Sequence, residues 1–423
     1  MNTSKHKKIF DLKSAIANRQ SKIIFLCAGV LYGYSCTVAG AAGWPNWRGP
    51  NHDGISSETG WLTTWPETGP TVLWKAEVGT GFASISVSDG RAYTTGNIKN
   101  TDVLYCLNAE TGAEIWKQSY PSRLLANSHE GGPCATPTVE DGAVYTFGKS
   151  GDAIRFDAAT GQVVWHKNLV KELGLKPPTW YFAGSPLLVG NMVLLNAGTY
   201  GVALNKADGS VVWQNGKTAS GYATAVPFGQ AGQCVVMPVC QEMVGLAPLT
   251  GKVLWKVPWR TDYDINAADV IVSGDTVFVS SGYNEGCALY RIAGSKATEV
   301  WKNKNMRNQV NSSVLWKGHL YGFDGQVGGG AKLACLDFQT GQKLWSQGGM
   351  GTGSLMLADG KLIILSEDGK LVIAEASPEG FKELASARIL TDKCWTVPVL
   401  ANGRIYARNA DGRLVCVDVR SKS

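Results

Sequence analysis

The sequence predicts an all-β chain, an eight-bladed β-propeller of four-stranded antiparallel blades whose ring is closed by an N-terminal strand. Three observations carry this. A Trp-ending segment recurs at a nearly fixed period, short alternating apolar runs are separated by Gly, Asn or Asp turns, and one orphan Trp lies upstream of a repeat series that ends one strand short. The 51 glycines and 15 tryptophans among 423 residues express the same repeat, and a hydrophobic share of 44% excludes disordered and collagen-like chains.

The clearest copies are Leu104 to Trp116, Ile154 to Trp165 and Leu333 to Trp345, with looser ones ending at Trp213, Trp255 and Trp301. Counted from Trp74, successive intervals are 42, 49, 48, 42, 46 and 44 residues, the length of a four-stranded blade. Turns such as Asp89-Gly90, Asp141-Gly142 and Asn402-Gly403 supply the positive-φ pairs that tight hairpins require. Within each copy, Asn108, Asp157, Asn205 or Asp337 caps its own turn, a Gly follows, and four residues later the Trp stands on the outer strand, facing the next blade. Seven units run from Phe82 to about Leu390. The seventh carries Leu384 in the Trp place, and the eighth, from Cys394, has three strands. The segment Thr71–Val78, holding Trp74, is expected to supply the missing strand.

Ahead of the ring, residues 1–42 read as a signal peptide. Six basic side chains against the single Asp11 precede an apolar run from Ile23 to Tyr34 and a small-residue stretch, with cleavage expected near Ala41 or Ala42. A periplasmic or secreted chain follows, with a Trp-rich arm over 43–70 and the propeller over 71–423. Five of the six formal positive charges lie in that leader, so the remainder has no footprint of a nucleic-acid binder. No later segment has the length and apolarity of a transmembrane span, and a monomer is expected.

Chemistry-bearing motifs are thin. Metal-ligand spacings, nucleophile elbows and phosphate loops are absent from the sequence, so no catalytic residue and no metal ligand are assigned. The eight cysteines from Cys106 onward read as buried free thiols. The informative residues lie on connectors between an outer strand and the next inner strand, which frame the channel. Arg123 and His129 stand on the first long connector, Trp180 and Tyr181 on the second, and Arg260, Asp262 and Tyr263 on the third. Shorter connectors add Arg307, Asn308 and Trp395. Aromatic rings beside polar groups make a mouth able to hold a protein, peptide or carbohydrate partner.

The repeat pattern Ala-x-Asp-x-x-Thr-Gly-x-x-x-Trp resembles the tryptophan-docking motif of the pyrroloquinoline quinone (PQQ) propeller superfamily, and the resemblance covers essentially all of 71–419. It makes Trp74, Trp116, Trp165, Trp213, Trp255, Trp301 and Trp345 structural docking residues. The superfamily includes quinoprotein alcohol dehydrogenases and the non-enzymatic assembly factor BamB. A dehydrogenase of that kind implies PQQ with Ca²⁺, yet the adjacent Cys-Cys pair of its large alcohol-oxidising branch is missing, and no base or calcium ligand can be carried over. The favoured reading is a non-catalytic binding or assembly scaffold. The alternatives are a PQQ-dependent alcohol or polyvinyl-alcohol dehydrogenase and a carbohydrate-binding propeller.

Overall fold

The structure, a computed structural model, describes residues 43–126, 129–229 and 232–421. The expected leader over 1–42 and its cleavage site lie outside the described residues. Eight sheets of four antiparallel strands follow one another around the ring, the chain entering each of the first seven at a short inner strand and leaving at an outer one, and the seventh gains a fifth, parallel strand from the arm. The first blade runs from Ser86–Ser88 through Arg91–Ile98 and Thr101–Asn108 to Glu114–Pro121. The predicted turns form as the sequence requires, with Asp89, Asp141 and Asn402 and the Gly after each holding positive φ.

Six of the seven expected docking tryptophans hydrogen-bond from blade to blade, and Trp255 instead packs its ring against Gly245 of its own blade. Trp116 sits opposite Cys106, the outer strand carrying a bulge one residue before it. Its indole N–H donates to Ala158 O at 3.0 Å in the following blade. Trp74, Trp165, Trp213, Trp301 and Trp345 likewise reach Ala109, Lys206, Pro248, Phe338 and Ser377. The ring of Trp74 lies over Gly112 of the next blade, where a Cβ would come within 2.6 Å of it. The motif glycine therefore answers two demands at once, a left-handed turn and the close approach of the previous blade's indole.

The seventh blade corrects the sequence assignment. There the bulge falls on Leu384, and Ala385 pairs with Ile373, so Ala385 rather than Leu384 occupies the Trp place. Trp65 of the arm packs beside this blade and donates to Ser386 O.

Thr71–Glu77 pairs with Arg413–Asp418 and completes the eighth blade, as expected. The seam is reinforced by Arg408, which is fully buried and donates to Gly79 O and Thr95 O, both at 2.7 Å. Burial pulls its pKa down to about 10, so the guanidinium stays charged at neutral pH, satisfied by backbone carbonyls. The arm is not a separate appendage. Trp44 bridges to Val87, Val139 N–H donates to Pro45 O, Ile55–Ser56 pairs in parallel with Leu357–Ala358, and Glu58 accepts from Gly403 N–H at 2.7 Å. It thus threads from the first two blades across the axis to the seventh and eighth.

Candidate functional site

Four residues before the end of each inner strand stands one equivalent position per blade: Ser84, Thr136, Ser185, Thr224, Asp269, Ser312, Ser354 and Val397. Around most of the ring, each backbone N–H donates to the side-chain oxygen of the next. Ser84 gives to Thr136, Thr136 to Ser185, Ser185 to Thr224, Thr224 to Asp269 and Asp269 to Ser312, at 2.7–3.0 Å. This belt consumes the N–H groups of five of the eight positions, from Ser84 round to Asp269. Asp269 is its one carboxylate.

The arm explains the exception. Trp47 donates its indole N–H to Asp269 Oδ2, and Arg48 Nε lies 3.9 Å from the same oxygen. Arg48 also donates to Ser313 O at 2.9 Å and Asp53 O at 2.8 Å. Burial raises the Asp269 pKa to about 6, with Arg48 and the Trp47 indole working against that rise. Beside this pair, burial and the Arg48 charge push the His52 imidazole down to about 4, and an Asn46 amide N–H lies 3.1 Å from its ring.

Above this plug the ring opens into a cup of about 740 Å³, within the range of small-molecule sites, with Trp47 and Asp269 among its lining residues. Four of the ten connector residues named from the sequence line it: His129, Trp180, Tyr263 and Trp395. Arg123, Arg260 and Asp262 are exposed outside it. Tyr181 is half-buried beside Trp180 but off the lining. Arg307 pairs with Asp324 at 2.7 Å. Asn308 is buried as a brace, donating to Phe323 O and accepting from Ser313 Oγ.

Each wall has a local cause. The second connector carries a short helix, Leu169–Leu173, capped by Asn168 and ended by Gly174 at φ 68°, within an otherwise all-β chain. Buried Phe182 packs on Phe147 at 4.9 Å and anchors the segment that presents Trp180. On the third connector, fully buried Trp259 donates to Ser281 Oγ, and Asn266 donates to the carbonyls of Val239, Cys240 and Trp259. Tyr263 stands out from this anchored loop, 71% exposed. Trp180 meets Tyr263 edge to face at 6.2 Å, and Tyr263 meets Tyr283 at 5.8 Å. Across the cup, Phe82 stacks on Trp395 at 5.4 Å, Lys393 lies 4.4 Å from the same indole ring centre, and Glu367 accepts its N–H.

Tyr181, Tyr263 and Tyr283 all hold left-handed φ of 66°, 64° and 52°. Bulky residues there cost of order 1–3 kcal/mol each, which glycine would avoid. The sequence reading missed Trp47, Phe82, Tyr222, Tyr283 and Asp269. The aligned repeat column of hydroxyls broken by one carboxylate was a legible signal for Asp269; nothing local to the arm indicated that Trp47 reaches the axis.

Cys134 also lines the cup, but burial pushes its thiol up to about 11, so it is a poor nucleophile. All eight described cysteines are free; six are buried, and Cys134 and Cys240 partly so. A calcium-bound quinone tricarboxylate needs several oxygen ligands converging on one cation. Asp269 is the carboxylate among the lining residues, and its two oxygens are already held by Thr224 N–H and the Trp47 indole. No group of three His, Cys, Asp or Glu that could hold a metal occurs among the described residues. The donor set of this cup does not fit that cofactor.

Comparison with known proteins agrees with the architecture. The chain is 22% identical over 366 residues to the outer membrane protein assembly factor BamB of Salmonella typhimurium, covering 80% of this chain and 87% of that one. It is 25% identical over 234 residues to a quinoprotein alcohol dehydrogenase of Pseudomonas putida, covering 52% of this chain and 35% of the relative. The crystal structure of the quinohemoprotein alcohol dehydrogenase of Comamonas testosteroni superposes with a TM-score of 0.67 at 14% identity, over 90% of this chain and 81% of that one, a likeness of fold. The sequence profile described as outer membrane protein assembly factor BamB matches in three overlapping stretches, 59–215, 129–347 and 241–423, and the chain belongs to that family of PQQ-like β-propellers.

Proposed function

We propose that this protein is a periplasmic or secreted, non-catalytic propeller that acts as a binding or assembly scaffold, with the aromatic mouth of its channel as the docking site. The observation that carries the reading is the cup itself: an open, aromatic-lined cavity floored by the chain's own arm and built on anchored connectors, in a member of the BamB family. The leader-like composition of residues 1–42 and the assembly role named for the relatives support export and a protein partner. Among the described residues no helix is long and apolar enough to cross a membrane.

The quinoprotein relative favours a second reading, a PQQ-dependent dehydrogenase, and the donor set of the cup speaks against it. The two separate in one experiment. Purified protein is given PQQ and Ca²⁺ and assayed for cofactor uptake and dye reduction with a panel of alcohols. The scaffold reading expects neither, and stoichiometric uptake with turnover overturns it. Retention of an envelope partner by the wild-type chain, lost on Tyr263→Gly, is the positive counterpart.

A further inference from the structure

Resting on the mouth as a binding site, we infer that the cup is a subsite for a neutral oligosaccharide, with Tyr263, Trp180 and Tyr283 as stacking platforms. Three features of the cup select this chemistry over a peptide or an anion. The first is what the wall withholds. An extended peptide captured by a propeller channel would add to a sheet edge through main-chain hydrogen bonds. Here the wall N–H groups from Ser84 to Asp269 are spent on the hydroxyl belt. Along that arc a ligand finds side chains instead: ring faces, the Thr179 hydroxyl and Asn311 Oδ1, the Asn311 amide N–H groups being donated to Gly353 O and Trp395 O and the Gln309 amide being held by Tyr283 and Val327.

The second feature is charge. Among the described lining residues, the ionisable groups besides tyrosines and the inert Cys134 are His129 and Asp269. Burial lowers the His129 pKa, which keeps the ring neutral at pH 7, and Asp269 faces the buried Arg48 of the same chain. A ligand with a formal charge finds no free counter-charge there, because Lys393 beside the Trp395 ring is paired with Glu130 at 2.6 Å, whereas the C–H faces of a sugar stack on aromatic rings and its hydroxyls pair with the Thr179 hydroxyl and Asn311 Oδ1.

The third is conformational. Tyr263 and Tyr283 sit at left-handed positions where glycine is unstrained, and the Tyr263 ring is 71% exposed, so it contributes little to the core. Strain retained for an exposed ring points to a ring kept for what it touches from outside.

The test uses the full mature chain and intrinsic tryptophan fluorescence, checked by calorimetry. The probes are cellohexaose, xylohexaose, maltohexaose and chitohexaose in N-acetylated form, with hexagalacturonate and a Trp-containing hexapeptide as contrasts. At least one neutral hexasaccharide is expected to saturate the cup. Tyr263→Gly is expected to weaken it about tenfold or more, the scale of one lost stacking contact, with the melting temperature unchanged or raised. Trp180→Ala gives an independent loss if the glycine variant alters the loop. Silence from every neutral oligosaccharide overturns the inference, as does saturation by the peptide alone or unchanged affinity in both variants. Silence combined with partner retention that Tyr263→Gly abolishes removes the saccharide and leaves the docking site standing, while loss of both removes the docking site as well.

Discussion

Asp269 shows how one repeat position becomes part of a site. In the other blades the equivalent residue is a hydroxyl or, at Val397, apolar, and the belt needs no more than a hydroxyl acceptor. The carboxylate is there because the arm brings Arg48 and Trp47 to it. Asp269→Ser restores the belt's own residue yet leaves the Arg48 charge buried and without its carboxylate. We expect a loss of about 3 kcal/mol in chemical denaturation, largely recovered by Asp269→Ser with Arg48→Met. Equal stability of single and double variants would show that the ion pair is not what Asp269 serves. His52 gives a second handle. Its folded pKa of about 4 lies below the unfolded value near 6.5, so the unfolded chain binds more protons in that window and stability falls as pH drops from 6.5 toward 4. Asp269, raised to about 6, acts in the opposite direction between about pH 4 and 6. Asn46, Arg48 and Asp53 are the polar and charged neighbours of His52. Asn tolerates the left-handed φ of 57° at this position, so His52→Asn is expected to flatten the acid limb by up to about 3 kcal/mol without disturbing the turn. An unchanged pH profile contradicts the assignment.

At the scale of elements, the blade strands and their turns were legible because two local signals agreed: alternating apolar runs, and Asp-Gly or Asn-Gly pairs where hairpins need positive φ. The tryptophan positions were legible for the same reason, except in the seventh blade. There the longer turn before the outer strand moves the bulge onto Leu384, a register detail that no composition records. The helix Leu169–Leu173 escaped notice because five residues are too few for a periodic pattern, although its Asn168 cap and Gly174 stop are both in the sequence. Of the connector residues, Trp180, Tyr263, His129 and Trp395 reach the cup, while Asn308 and Arg307 turn to internal partners. The deciding factor is which buried side chains anchor each loop: Phe182 and Trp259 turn the aromatics outward. The arm and closing strand make one element-level prediction. Deleting residues 43–78 removes both the fourth strand of the eighth blade and the Trp47–Arg48 plug. It is expected to lower the thermal midpoint by well over the ~2–4 °C that a 1 kcal/mol change produces in a large domain. A midpoint unchanged by the deletion contradicts the closure.

For the whole molecule, the fold class, blade count and site of ring closure followed from repeat arithmetic, because a propeller's stability is built from near-identical neighbours and its one irregularity is where the ring shuts. The path of the arm did not follow. A segment that crosses the axis makes single contacts with many blades, Val87, Val139, Asp269, Ser313, Leu357 and Gly403 in turn, and such contacts leave no period to read. That arm places Trp47 in the lining of the cup, so the proposed docking face is the mouth opposite it. Placing a photocrosslinking amino acid at Tyr263 on the mouth, at Val164 on the outer rim and at Asn402 on the opposite face, in cells that produce the full chain, tests this face directly. Adducts from position 263, with none from 164 or 402, are the predicted result; adducts from the rim or the opposite face, with none from the mouth, would contradict it.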